Sequence, residues 1–172
     1  MSKFEQARTM PIYQKAVQIL KLTEGLVQII PKEDEFLQDT SARFMMEDAI
    51  MIPAKIIGAE AADLYDLRME NAAIIRKAAR DLYVHTGSLR HHGIENVEYA
   101  DLLREEIDEF RLLFIDWVAS FDVWNYSKDE WGLFNPPGVN AHDKDPDADT
   151  PFNPDDFFNF DPDDFDEDDD DE

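Results

Sequence analysis

Between Met10 and Phe121 apolar side chains return every three or four residues, and no stretch alternates with period two. That spacing lines them along one side of a helix and leaves no half-buried strand from which to build a sheet, so the chain reads as all-α. The pattern ends near Asn135-Pro136. From Pro136 to Glu172 the residues are chiefly Asp, Phe, Asn and Pro, closing on Asp166 to Glu172, where every side chain is a carboxylate. The first part can bury a core. The second cannot offset its ordering entropy by burial and is expected to be disordered.

Four helices account for the first part. The first takes Thr9 as cap, holds Pro11 in its opening turn and stops at Pro31, with Ile12, Ala16, Ile19, Leu20, Thr23, Leu26, Val27 and Ile30 as its stripe. The second runs from about Phe36 to Ala62, behind the acids of Lys32-Glu33-Asp34-Glu35, which suit the positive end of a helix. It is apolar over a wide arc that includes Phe44, Met45, Met46, Ala49, Ile50, Met51, Ile52, Ile56 and Ile57. One core-facing stripe needs only about 100°, so this helix has a second face to cover. Pro53 inside it removes a hydrogen bond to Ala49 and predicts a kink. The third helix spans Asn71 to His91, stopped by Gly93, and the fourth runs from Glu95 to Phe121 on Leu103, Ile107, Phe110, Phe114, Trp117 and Val118.

Helices of roughly 20 to 27 residues joined by short turns make an up-down-up-down four-helix bundle the expected fold of residues 1–121. Residues 122–135 hold Trp124, Tyr126, Trp131, Leu133 and Phe134, too many rings for a free linker, and are expected to pack on the bundle. Residues 136–172 form the acidic-aromatic tail.

Charge narrows the partners. The chain carries a net −24. Of this, −15 falls on residues 136–172 and −9 on residues 1–135. No global field draws nucleic acid, although Lys55, Arg68, Arg76, Lys77, Arg80 and Arg90 lie close together in the middle of the sequence. Cysteine is absent, which excludes disulfides and thiolate metal sites. The start, Met1-Ser-Lys-Phe-Glu-Gln-Ala-Arg8, has no secretory pattern, and the strongest apolar run is cut by Asp116, so no membrane role and a cytoplasmic location are expected.

The segment Ile52-Pro53-Ala54-Lys55-Ile56 resembles the Ile-Pro-Ala-Asn-Ile stretch of a family of small four-helix bundles. That family includes the proteins encoded by intervening sequences of 23S rRNA genes and the accessory variability proteins of diversity-generating retroelements. The likeness extends to Tyr13-Gln14-Lys15-Ala16, to Ala79-Arg80 and to the order of the helices, over about residues 10 to 121. Lys55 stands where the family has Asn, and Gly58-Ala59 where it often has Glu-Gly. The resemblance implies an up-down bundle that assembles as a ring, commonly a pentamer, with no catalytic residues. Retroelement members are basic and bind nucleic acid beside a reverse transcriptase, whereas this chain is acidic.

Several short patterns bear on chemistry. Arg80-Asp-Leu-Tyr-Val-His85 has the arginine-x4-histidine spacing of HEPN ribonucleases, yet in a straight helix the two side chains point about 140° apart. His91-His92 beside Gly93 suit a helix C-terminus. Asp143, Asp145, Asp147 and Asp149 begin like a calcium loop, but Ala148 and Pro154 stand where an EF-hand needs Gly and Glu. No Glu-x-x-His pair exists for a di-metal site, and neither metal nor cofactor is expected.

The sequence therefore points to a non-enzymatic homo-oligomer that presents acidic tails to a basic protein partner. Met45, Met46, Ile50, Pro53 and Ile57 are the expected oligomer interface. In the tail, Phe157, Phe158, Phe160 and Phe165 sit among carboxylates, as apolar anchors ringed by acids would. The alternatives are nucleic-acid binding through Lys55, Arg76, Arg80 and Arg90, with the tail as competitor, and a HEPN-like ribonuclease.

Overall fold

A computed structural model describes residues 2–91, 97–146, 148 and 149. Every regular element among the described residues is helical, and none is long and apolar enough to cross a membrane. The chain opens with a short helix, α1 (Lys3–Thr9), fixed by a capping box: Ser2 Oγ accepts the Glu5 N–H at 3.2 Å, and Glu5 Oε2 accepts the Ser2 N–H at 2.7 Å. Thr9, expected as a cap, is instead the last residue of α1. Extended Met10 turns the corner, and Pro11 opens α2 (Pro11–Gln28), where its missing N–H costs nothing.

After Pro31, Asp34 accepts the Leu37 N–H at 3.0 Å and starts α3 (Glu35–Leu37). A single wide π-helical turn, Gln38–Ala42, carries α3 into α4 (Arg43–Ala62). Pro53 lies buried inside α4, and the helix continues past it. Asp63 adopts a left-handed φ of 56° and ends α4. Two residues later α5 (Tyr65–His91) begins, ahead of the expected Asn71. The last helix is α6 (Val97–Ala119).

The core lies among α2, α4, α5 and α6. α4 packs on α5 and α2, and α6 closes the group against α2 and α5. Ile19 and Leu26, Met45, Ile52 and Ile56, Ile75 and Leu82, and Leu103 and Phe110 all point inward and are almost fully buried. Residues three and four apart supply each set, which is why one stripe per helix suffices.

At one end a polar knot ties three helices. Glu60 Oε1 accepts both the Trp117 indole N–H at 2.7 Å and Arg68 Nη2 at 2.5 Å. The Arg68 guanidinium lies 4.3 Å above the Phe121 ring, whose edge meets Trp117. At the same end Lys3 reaches Asp63 at 3.5 Å. Further along, Lys15 of α2 donates to Glu106 and Glu109 of α6, both at 2.6 Å, and these contacts raise its pKa.

Residues 120–146 are held by turns. Asn125 accepts the Tyr65 N–H at 2.7 Å and donates to the Asp63 carbonyl, and Asp66 accepts the Ser127 N–H at 2.8 Å, so the segment folds back onto the start of α5. Polar groups make these contacts. Trp124 and Trp131 are 85% and 94% exposed, while Tyr126 and Phe134 are half-buried. Asp129 accepts the N–H groups of Phe134, Leu133 and Trp131, which hold its carboxyl below the usual range. The expected start of disorder, Pro136, falls inside this ordered run: Pro136 is buried, and i→i+3 hydrogen bonds close turns at Val139, Asp143 and Ala148. Short-range turns here do what hydrophobic burial does not. Gly132 is required by close approach, since a Cβ there would stand 2.9 Å from the Ala141 Cβ.

Candidate functional site

Where α5 meets α6 the two buried stripes diverge and leave an open groove of about 280 Å³. α5 contributes Ala79 to its floor and Arg76, Arg80 and Tyr83 to one wall. α6 contributes Ile107, Phe110 and Phe114 below, with Asp108 and Arg111 on the opposite wall. The spacing follows from helix geometry: the wall residues lie one position around from Ile75, Ala79 and Leu82 on α5, and from Ile107 and Phe110 on α6. A short alanine opposite large rings leaves the space.

The walls are cationic. Arg104 of α6 lies 3.9 Å above the Tyr83 ring and extends the arginine row. Arg111 pairs with Asp108 at 3.6 Å, an exposed contact worth little. Arg76 and Arg80 are exposed and make no hydrogen bond or ion pair among the described residues. Four of the sixteen basic side chains of a net −24 chain therefore line one seam. Planar guanidinium groups offer paired donors to carboxylate or phosphate, and the apolar floor accepts a ring. The groove suits a ligand that is both anionic and aromatic.

This gathering divides the residues named from sequence. Arg76 and Arg80 are in the groove; Lys55, half-buried on α4, is not among its walls, and the side chain of Arg90 falls outside the described residues. Arg104 and Arg111 lie in a stretch that also holds Glu105, Glu106, Asp108 and Glu109, which masks them in sequence, and only helix pairing sets them beside the arginines of α5. Arg80 and His85 do not converge: Arg80 faces α6, while His85 stacks on Phe44 of α4, ring centroids 6.1 Å apart.

The expected oligomer interface also divides. Met45 is 0% exposed and Pro53 is buried in the chain's own core, so neither can meet a second copy. Met45 occupies the centre of the inward stripe, and Pro53 sits at its edge. Met46, Ile50 and Ile57 line the flank of α4 opposite Phe44, and Ile50 is 52% exposed. Because Phe44 meets α5, their flank turns away from α5. Phe157, Phe158, Phe160 and Phe165 lie outside the described residues.

Between α4 and α5, burial first and the neighbouring Asp81 second push the Asp48 carboxyl above the usual Asp range, against the pull of Lys77 and His85. A raised carboxylate pKa means the folded state resists the charge, so stability falls as pH rises through the window just above about 4. Asp48→Asn is expected to raise the Tm at pH 7 by about 2 °C and to flatten its pH dependence between 4 and 6, which thermal melts at both pH values would register. No group of three or more His, Asp or Glu side chains among the described residues is placed to hold a metal ion.

Comparison with protein-family models, with curated proteins and with solved structures finds no match to this chain. Its site must be read from its own geometry.

Proposed function

We propose that this chain is a non-enzymatic scaffold that assembles with copies of itself and presents acidic tails to a basic protein partner. The observation that carries self-assembly is the apolar flank of α4, with Met46 and Ile57 half-buried and Ile50 more than half exposed. Soluble chains rarely leave such a strip open unless another surface covers it. On α2, the partner helix on that side, Leu20 and Val27 are only partly buried and widen the strip.

An up-down-up-down arrangement of α2, α4, α5 and α6 belongs to this proposal. It is supported by the meeting of Lys3, Glu60, Asp63, Tyr65 and Trp117 at one end, which brings together the starts of α1 and α5 and the ends of α4 and α6. The ring of five that the resembling family uses is the expected assembly. Five tails would concentrate about 75 negative charges, attracting a basic protein in a manner that weakens steeply with salt. The location is expected to be cytoplasmic. A non-enzymatic role is supported by the divergence of Arg80 and His85 onto different neighbours.

Sedimentation tests the assembly. The wild type is expected near five times 20.0 kDa, and Ile50→Glu to reduce it to a single copy with its helical content intact. A wild-type chain that sediments as a monomer at micromolar concentration defeats the proposal. For the tail, removing residues 150–172 takes away 12 of the 24 net negative charges and is expected to weaken salt-sensitive binding of a polylysine probe while leaving the number of subunits unchanged.

A further inference from the structure

We infer that the α5–α6 groove is the docking site for the chain's own acidic-aromatic segment, residues 152–165. The inference goes beyond the reading above, because it needs only the groove and the segment and would stand for a monomer. Phe-Asn-Pro-Asp-Asp-Phe-Phe-Asn-Phe-Asp-Pro-Asp-Asp-Phe places rings between pairs of carboxylates. The groove offers the converse: Arg76, Arg80 and Arg111 around an apolar floor of Ala79, Phe110 and Phe114. Rings such as Phe157 and Phe158 would lie on the floor, while Asp155 and Asp156 take the guanidinium donors that Arg76 and Arg80 leave unused.

Charge argues for this occupant over a free polyanion. A chain of net −24 repels nucleic acid arriving from solution, whereas a tethered segment arrives with every fold of the chain. The tether is short. The described residues hold their turns up to Asp149, and from there to Phe157 the chain can span up to about 27 Å if extended. A flexible tether of this kind holds its end at a local concentration on the order of 1 mM. A groove affinity of only about 100 µM would then keep roughly nine chains in ten docked. The tail would be given up to a basic partner only in competition with the groove, which makes presentation of the tail a regulated event.

The test uses the full chain with Phe158 exchanged for p-benzoylphenylalanine, irradiated and mapped by mass spectrometry, in an equal mixture of heavy- and light-isotope chains. Crosslinks are expected in residues 76–83 and 107–115, within chains of one isotope, and to fall at least fivefold in 1 M NaCl and in Arg76→Glu/Arg80→Glu/Arg111→Glu. All three arginines are exposed, so circular dichroism should show that variant folded. Crosslinks that map elsewhere, that survive the triple substitution, or that join heavy to light chains overturn the inference. So does a groove that crosslinks no tail but is protected by an oligouridine probe, which would make it a nucleic-acid site instead.

Discussion

Replacing Glu60 with alanine is expected to cost about 3 kcal/mol of folding stability and to lower the Tm by about 10 °C. The size follows from what the carboxylate leaves behind. Its side chain is 19% exposed, that of Arg68 only 11%, and one oxygen serves both Arg68 and the Trp117 indole. Without it Trp117, 5% exposed, holds an unpaired N–H. Arg68, whose buried Nε already lacks a partner, keeps only a 3.4 Å contact with Asp63 and the face of Phe121. An isolated buried charge is far more costly than a paired one. Glu60→Gln keeps an acceptor for Trp117 but discards the countercharge, so it should fall about midway. Thermal and urea melts of the two variants decide this. Should Glu60→Ala melt within 2 °C of the wild type, the knot is an ornament of the fold and not a fastening.

The second large effect separates two neighbours. Met45→Ala is expected to destabilise by about 3 kcal/mol, and Met46→Ala by less than about 1. Met45 is wholly enclosed where α4 packs on α2 and α5, so truncation opens a cavity that rigid neighbours fill poorly. Met46, one position around the helix, is half-buried on the outer flank. Truncating it should instead loosen self-association, with little change in the melting of a dilute, dissociated chain. Equal losses for both methionines would mean that the register of α4 is wrong.

Much of the helical order was legible because one stripe per helix, once counted, fixes which residues turn inward. Ile19, Ile52, Leu82 and Phe110 all lie where three-four spacing puts them. Ser2-Lys-Phe-Glu5 also carried a legible signal, since Ser-x-x-Glu is a capping box, and α1 was overlooked because its only buried residue is Ala7. Other features were not legible in principle. The groove depends on which helix lies beside which, and Arg104 and Arg111 acquire meaning only opposite Tyr83 and Arg80. Met45 and Met46 are both apolar, so composition made the arc of α4 look broader than the part the chain leaves open. The turns after Pro136 escaped because single Asp and Asn side chains hold them, a local effect that hydropathy does not register.

The wide turn at Gln38–Ala42 sets the phase between α3 and α4. Leu37 and Met45 are both sealed in the interior, yet at regular helical pitch eight residues would set them about 80° apart. A turn holding one surplus residue restores the phase, since seven regular steps return to within about 20°. The turn thus behaves like an absorbed insertion, soaking up an extra residue without rotating anything on either side. A relative shorter by one residue between Gln38 and Ala42 would keep every inward and outward position of α3 and α4, so a gap of that length in an alignment would mark kinship and not a change of fold.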